Sequence, residues 1–468
     1  MAYTDSRGLV VSTMSSEALD AYEHGVACSL RWRSGALDAL DTVVTSDPQF
    51  ILGHCTRAYI AWRMGRYDVA SASHQQAIKL ADTAYDERER LHIRTVDAMH
   101  RSAGAEVLDY LEQIVEQYPT DRMALRLFSI LCLAQGTYAK GLMRARRSYE
   151  AAPDDTQFQT MLAFFLDQAN KDPDAGLALG LRALAADPGN LYTYHAVGHH
   201  YAARGDYRNA LAIFERANSV ERYPHNIWHL AEAHAILGDR RLTHDYWAST
   251  APMLPLFERI ELRWRLETLR GEPVDDATWR DFAAQGERLL ANANYLTTWM
   301  HHWIGVAFAR AGDMQKAQQQ LAHVRQLPEG PPSGYWSTLG AGLLEGEIAF
   351  IRGDLDTAAQ CMTPAVQRIH EMGGGSREQK DIFVDVCLEL HRRLGHVEQV
   401  IELAQRRLQR NPNHFQSFSA LAWAYHQTGQ TANQQQMCRE IVERAEALSV
   451  PPDLPALREA RQTLQVTA

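Results

Sequence analysis

Apolar residues in this chain recur at steps of three and four, and the runs stop at a glycine set among polar residues. The stretch "NLYTYHAVGHHYAARGDYRNALAIFERA" (190–217) shows the pattern most completely. Tyr194, Val197, Gly198 and Tyr201 form one stripe, and Ala210 and Phe214 form a second after Gly205. Such steps place side chains on one face of a helix, so the spacing predicts two helices joined at Gly205. Glycine there suits a left-handed helix end, and Gly198 with Ala210 allows the two helices to approach closely.

The same turn phrase returns along the chain: "AWRMGRYDVA", "CLAQGTYAKG", "AILGDRRLT", "ARAGDMQKA", "FIRGDLDTA", "RRLGHVEQV" and "HQTGQTANQ". Gly205 to Gly238 is 33 residues and Gly395 to Gly429 is 34, while Gly312, Gly353 and Gly395 are 41 and 42 apart. Asn170–Lys171 stands midway between Gly136 and Gly205, where a unit fits without glycine. An aromatic, then x-Gly, then Tyr, then Ala-x3-Phe at these intervals is the 34-residue tetratricopeptide pattern. Asp-Pro or Asn-Pro turns close several units ("SDPQF", "ADPGN", "RNPNH"), and strand signals are nearly absent. The expected fold is therefore all-α, a right-handed α-solenoid of stacked tetratricopeptide-like helical hairpins. About ten to eleven degenerate hairpins are expected over residues 16–448, after an N-terminal extension (1–15) and before a C-terminal capping tail (449–468).

Composition changes this picture little. Of 468 residues, 46% are hydrophobic and 22% charged, enough for a continuous core. The net charge of −10 and the lack of a basic stripe lead us to expect no nucleic-acid partner. Six scattered cysteines without a C-x-x-C pair fit free thiols in a reducing compartment. With no signal peptide and no long apolar run, the expectation is a cytoplasmic protein with no membrane partner.

Four segments carry a more particular likeness: "DERERLHIRTVDA" (86–98), "HAVGHHYAARGD" (195–206), "PHNIWHL" (224–230) and "GGGSREQKDIF" (373–383). Over roughly residues 15 to 440 the chain resembles the tetratricopeptide repeat protein 38 family. The matching positions are Arg88, Glu89 and His92; His195 and His199; His225, Asn226, Trp228 and His229; and Gly374, Gly375, Ser376, Gln379, Asp381 and Phe383. Gly373 is additional. The resemblance implies the repeat fold and a groove, and brings no activity with it.

If Tyr194, Val197 and Tyr201 pack, His195 and His199 lie one step away, four residues apart on one face. Likeness to peptide-binding arrays makes that face the concave groove. His225, His229 and Glu232 occupy a similar stripe in the next unit. His302 stands ten residues before Gly312, as His195 does before Gly205, so all these histidines are expected to converge. His200 and His301 are expected behind them, in packing. A His/Glu cluster suits a divalent metal such as zinc or iron, though the sequence requires no cofactor; without metal, the same groups could serve as general acid and base. A hydrogen-bonded network that only holds helices together explains the same residues. "HNIWH" is no H-E-x-x-H zincin motif, because Asn226 replaces the glutamate.

Other candidates carry two readings each. Arg88 and His92 lie in a charged helix start, or Arg88 reaches into the groove to grip a carboxylate or phosphate. Ser376 is a helix N-cap, or the glycine-rich run offers backbone N–H groups to an anion, with Gln379 and Asp381 closing one end of the groove. Trp228, beside two histidines, is a candidate pocket wall. The leading expectation is a binding protein holding a peptide or small polar ligand in a His/Trp-lined concave groove. The alternative is an enzyme with a His/Glu/Asp site in the lumen, and an end of the array could pair with a second copy in a homodimer.

Overall fold

The turn glycines do what their spacing implied. Gly65, Gly136, Gly205, Gly238, Gly312, Gly353, Gly395 and Gly429 all have φ between 68° and 84°. Asn170, in the unit without glycine, takes φ 50°, in keeping with the tolerance of asparagine for this region. The computed structural model describes residues 3–292, 296–331, 334–452 and 454–466. Residues 1, 2, 453, 467 and 468, within the expected extension and tail, lie outside them.

Among the described residues, the regular secondary structure is helical apart from a small antiparallel pair, Tyr3–Thr4 with Val10–Val11, and an isolated bridge between Gly330 and Tyr335. Aspartate N-caps recur at Asp121, Asp155, Asp206, Asp239, Asp313 and Asp354, each side chain accepting from a backbone N–H of the first turn. The chain forms an all-α array of tetratricopeptide-like hairpins, grouped in two compact units.

The N-terminal unit, residues 1–197, contains five hairpins, from Ser16–Leu30 with Ala36–Ser46 to Thr156–Gln168 with Pro173–Ala186. Its core is a layer of aromatic and aliphatic residues that includes Phe50, Tyr59, Phe128, Phe158 and Phe165, all fully buried.

The C-terminal unit, residues 198–468, opens with the end of helix Leu191–Ala203 and helix Tyr207–Val220. Gly198 is needed where these two cross: a Cβ there would lie 2.2 Å from Phe214 Cζ. Six hairpins follow, from Pro224–Leu237 with Arg240–Thr250 to Phe415–Gln427 with Thr431–Ala447, and then helix Pro455–Val466. This unit closes on itself. Asn411 Nδ2 donates to Tyr207 Oη at 2.8 Å, and Asn413 Nδ2 donates to the Gly205 carbonyl at 3.0 Å. One apolar cluster joins Tyr207, Ala233 and Leu237 to Phe415, Ile441, Leu454 and Leu457. Helix Leu256–Arg270 also touches helix Arg377–Leu394, although two hairpins separate them in sequence. First helices therefore face an enclosed interior, where a concave groove was expected.

Candidate functional site

Helix Pro224–Leu237 begins with proline at its first position, where the missing N–H costs nothing. From there, steps of four and three bring His225, His229 and Glu232 onto one stripe. His199 projects from helix Leu191–Ala203, and ring nitrogens of His199, His225 and His229 lie within 4.8 Å of one another. Each imidazole meets a carboxylate through Nδ1: His199 with Glu378 at 2.7 Å, His225 with Glu258 at 3.0 Å, and His229 with Glu232 at 3.4 Å. Glu378 and Glu258 stand in the first turns of helices Arg377–Leu394 and Leu256–Arg270, where the helix dipole favours negative charge. The rings are held by packing. His229 stacks flat on Phe214 at 4.9 Å and meets His199 and His225 edge-to-face at 4.6 and 4.8 Å. Trp228 lies parallel to His225, and its indole N–H donates to the Glu258 carbonyl at 3.1 Å.

Behind the histidines runs a buried chain of charges. Arg265 reaches Glu261 at 2.8 Å, Glu232 at 3.1 Å and Asp385 at 3.9 Å. Arg407 binds Asp381 at 2.9 Å and Asp385 at 3.1 Å, and Arg410 binds Asp381 at 3.0 Å. Charges taken out of water this way persist because each has a partner, and removing one partner exposes the full desolvation cost of the other. Titration follows from the surroundings. Burial raises Glu232, and the Arg265 guanidinium only partly opposes it. Burial also pulls upward on Glu378, but the His199 charge and hydrogen bond outweigh it, holding the carboxyl at about 2. Asp385 is likewise held below the usual range by His414 and Arg407 against burial. His229 goes the other way: burial, then the neighbouring His199 and His225, press its pKa well below the ordinary value, so its ring is neutral. His229, Glu232, Arg265, Glu378, Asp381 and Arg407 border a cavity of about 20 Å³, room for one water.

His195, one turn before His199 on the same helix, does join this group: one of its ring nitrogens lies within the same 4.8 Å, while its ring packs against Trp32, Phe164 and Tyr192. Not all expected residues do. Arg88 and His92 form a buried ion cluster in the N-terminal unit: both bind Asp121 Oδ2, at 2.7 and 2.9 Å, and Arg88 also meets Asp5. The carboxylate Arg88 grips thus belongs to the chain. His302 does not converge with the other histidines. Its ring meets Trp303 and Phe383 edge-on, and burial pushes its pKa down to about 3. Equal distance from a turn glycine sets a residue's place on its own helix, but the neighbouring helices decide what surrounds it. Ser376 is a helix N-cap in a reciprocal capping box: its hydroxyl accepts from Gln379 N–H, and its own N–H donates to Gln379 Oε1 at 2.8 Å. Asp381 takes part in the charge chain, and Asn226 and Trp228 are fully buried. Glu378, Glu258, Arg265, Asp385 and Arg407 were not foreseen. Glu378 sits inside the quoted "GGGSREQKDIF", but its histidine partner is 179 residues away.

A larger groove lies elsewhere in the same unit. About 690 Å³ in volume, it runs between helices Leu256–Arg270, Arg377–Leu394, Phe415–Gln427 and Pro455–Val466. Phe415 and Trp423 line it together with Asp385, Gln416, Gln434 and Gln462.

No protein-family model matches the chain. Solved structures similar to it include the human IFIT1 dimer with m7Gppp-AAAA, at 15% identity and TM-score 0.38, covering 94% of this chain and 92% of that one. Another is the Cut9–Hcn1 APC/C hetero-tetramer, at 12% identity and TM-score 0.35, covering 96% and 97%. The exclusion of nucleic acid drawn from net charge does not hold, since IFIT1 is solved with capped RNA. A charge total says nothing about where individual charges sit, and recognition depends on the local surface. No helix among the described residues is long and apolar enough to cross a membrane.

Proposed function

We propose that this chain is a binding protein of the helical-repeat class whose ligand, a short peptide or small polar molecule, occupies the groove beside Trp423. The observation that carries this reading is room. A volume of about 690 Å³ falls within the usual range for ligand sites, whereas the space beside His229 holds one water. The lining supports it: aromatic faces for contact area, and side-chain amides for orienting hydrogen bonds. The histidine-lined interior is too tight to be the ligand seat, which also weighs against chemistry on a substrate enclosed there. The quoted histidine and glycine-serine motifs support kinship with the tetratricopeptide repeat protein 38 family. Six free thiols, five of them buried, support a reducing, cytoplasmic location.

A ligand-observed NMR screen of fragments and tripeptides against the full chain tests this proposal. Binding is expected to be lost in Trp423→Ala and kept in His225→Ala. Ligands that bind the Trp423 variant as well as the parent sink the groove reading. A short capped RNA belongs in the same screen, and RNA as the sole ligand would replace peptide or small molecule.

A further inference from the structure

We propose that the C-terminal unit binds one divalent transition-metal ion through Nε2 of His199, His225 and His229, with Glu378, Glu258 and Glu232 as the outer carboxylates that orient the three rings. This site is separate from the groove and does not depend on it.

The arrangement of protons is the first argument. A carboxylate at Nδ1 holds the ring proton there and places the lone pair on Nε2, the nitrogen that then faces a metal. One such pair is an ordinary buried hydrogen bond. Here that bond, His199–Glu378 at 2.7 Å, is joined by two further imidazole–carboxylate pairs, His225–Glu258 at 3.0 Å and His229–Glu232 at 3.4 Å. The second argument is distance. Metal–nitrogen bonds of about 2.1 Å in tetrahedral geometry place ligand nitrogens about 3.4 Å apart. The ring nitrogens lie within 4.8 Å of one another, so small ring rotations close the set.

The cavity of about 20 Å³ beside His229 has the size of a single water, and Glu232 and Glu378 border it as acceptors for that water's protons. The donor type narrows the ion. Imidazole nitrogens without thiolate suit zinc or iron(II), while calcium and magnesium require oxygen ligands. The three carboxylates supply the negative charge that a divalent ion needs in a buried place. Exposure supplies the access route: His225 has 22% of its side chain exposed, against 1% for His199 and 2% for His229. An ion enters at His225 and settles against the two inner rings.

The test uses the full chain, purified without a histidine tag, stripped with chelator and titrated with Zn²⁺ by calorimetry. About one ion per chain is expected, with a Co²⁺-substituted sample showing the absorption bands of a tetrahedral site. His225→Ala, at the exposed edge of the site, is expected to fold and to lose this binding. Glu378→Gln is expected to weaken it about 10- to 100-fold, as outer-sphere substitutions do. His302→Ala, another buried histidine outside the group, is expected to keep full stoichiometry. A wild-type chain that takes up no Zn²⁺ overturns the proposal, as does a His225→Ala chain that binds as the parent does. Should His225→Ala prove unfolded by circular dichroism, the Glu378→Gln affinity decides: unchanged binding there also overturns it.

Discussion

Glu347 offers a quantitative test of how the C-terminal unit handles charge. It sits on the inner helix Ser337–Ile351 and has no exposed surface. Burial pushes its pKa up to about 8 from an ordinary 4.5, with the Trp264 indole pulling back only in part. At pH 7 the folded protein therefore carries Glu347 protonated, whereas the unfolded chain ionises it. Because the folded value is the raised one, the associated stability is complete below the unfolded pKa and is lost as pH rises toward 8. Between pH 4.5 and 7 the loss is about 2.5 pH steps of about 1.4 kcal/mol, or roughly 3 kcal/mol. Glu347→Gln keeps the shape and removes the ionisation. The variant is expected to match the parent near pH 4.5 and exceed it by about 3 kcal/mol at pH 7. At roughly 2–4 °C per kcal/mol, the gain in Tm at pH 7 is on the order of 6–12 °C. Thermal unfolding by circular dichroism at pH 4.5, 6 and 7 provides the readout. An offset that is the same at all three pH values would refute the argument, because it would mean that Glu347 does not titrate anomalously.

Two further predictions concern packing and ion clusters, beside the ligand screen and the zinc titration already described. Gly198→Ala places a methyl 2.2 Å from Phe214 Cζ, so a loss of about 1–3 kcal/mol is expected. Adding Phe214→Leu should restore part of it, and a double variant no better than the single one would place the strain elsewhere. In the N-terminal unit, Asp121 is held below its ordinary pKa, burial being outweighed by Arg88 and His92. Asp121→Asn leaves those cations poorly matched and should cost about 3–5 kcal/mol. The parent's advantage exists above the ordinary pKa of 3.8 and falls away only as pH drops toward the lower folded value. Urea midpoints at pH 7 and pH 5 should therefore both differ from the parent, and equal midpoints at either pH contradict this reading.

Much of the fold was legible in the sequence because its signals are local. A left-handed residue at Gly205 or Asn170 depends on backbone sterics within one turn, and the Ser376–Gln379 capping box spans four residues. The Gly198–Phe214 contact follows from two helices joined by a short turn. The common stripe of His225, His229 and Glu232 likewise requires only the pitch of one helix.

What surrounds those side chains was set by closure of the C-terminal unit. The Asn411–Tyr207 and Asn413–Gly205 bonds bring the last hairpins back onto the first. This closure turns an expected concave groove into a water-poor interior. There Glu378 finds His199 from 179 residues away, and Arg265 links Glu232 to Asp385. His302 shows the same limit from the other side, its repeat position ending in an aromatic pocket apart from the other histidines. Helical period and turn chemistry are properties of neighbouring residues, so the sequence alone determined the repeats, their ends and the face each histidine occupies. Partners, burial and pKa depend on distances through space between residues far apart along the chain, and only the packed tertiary structure decided them.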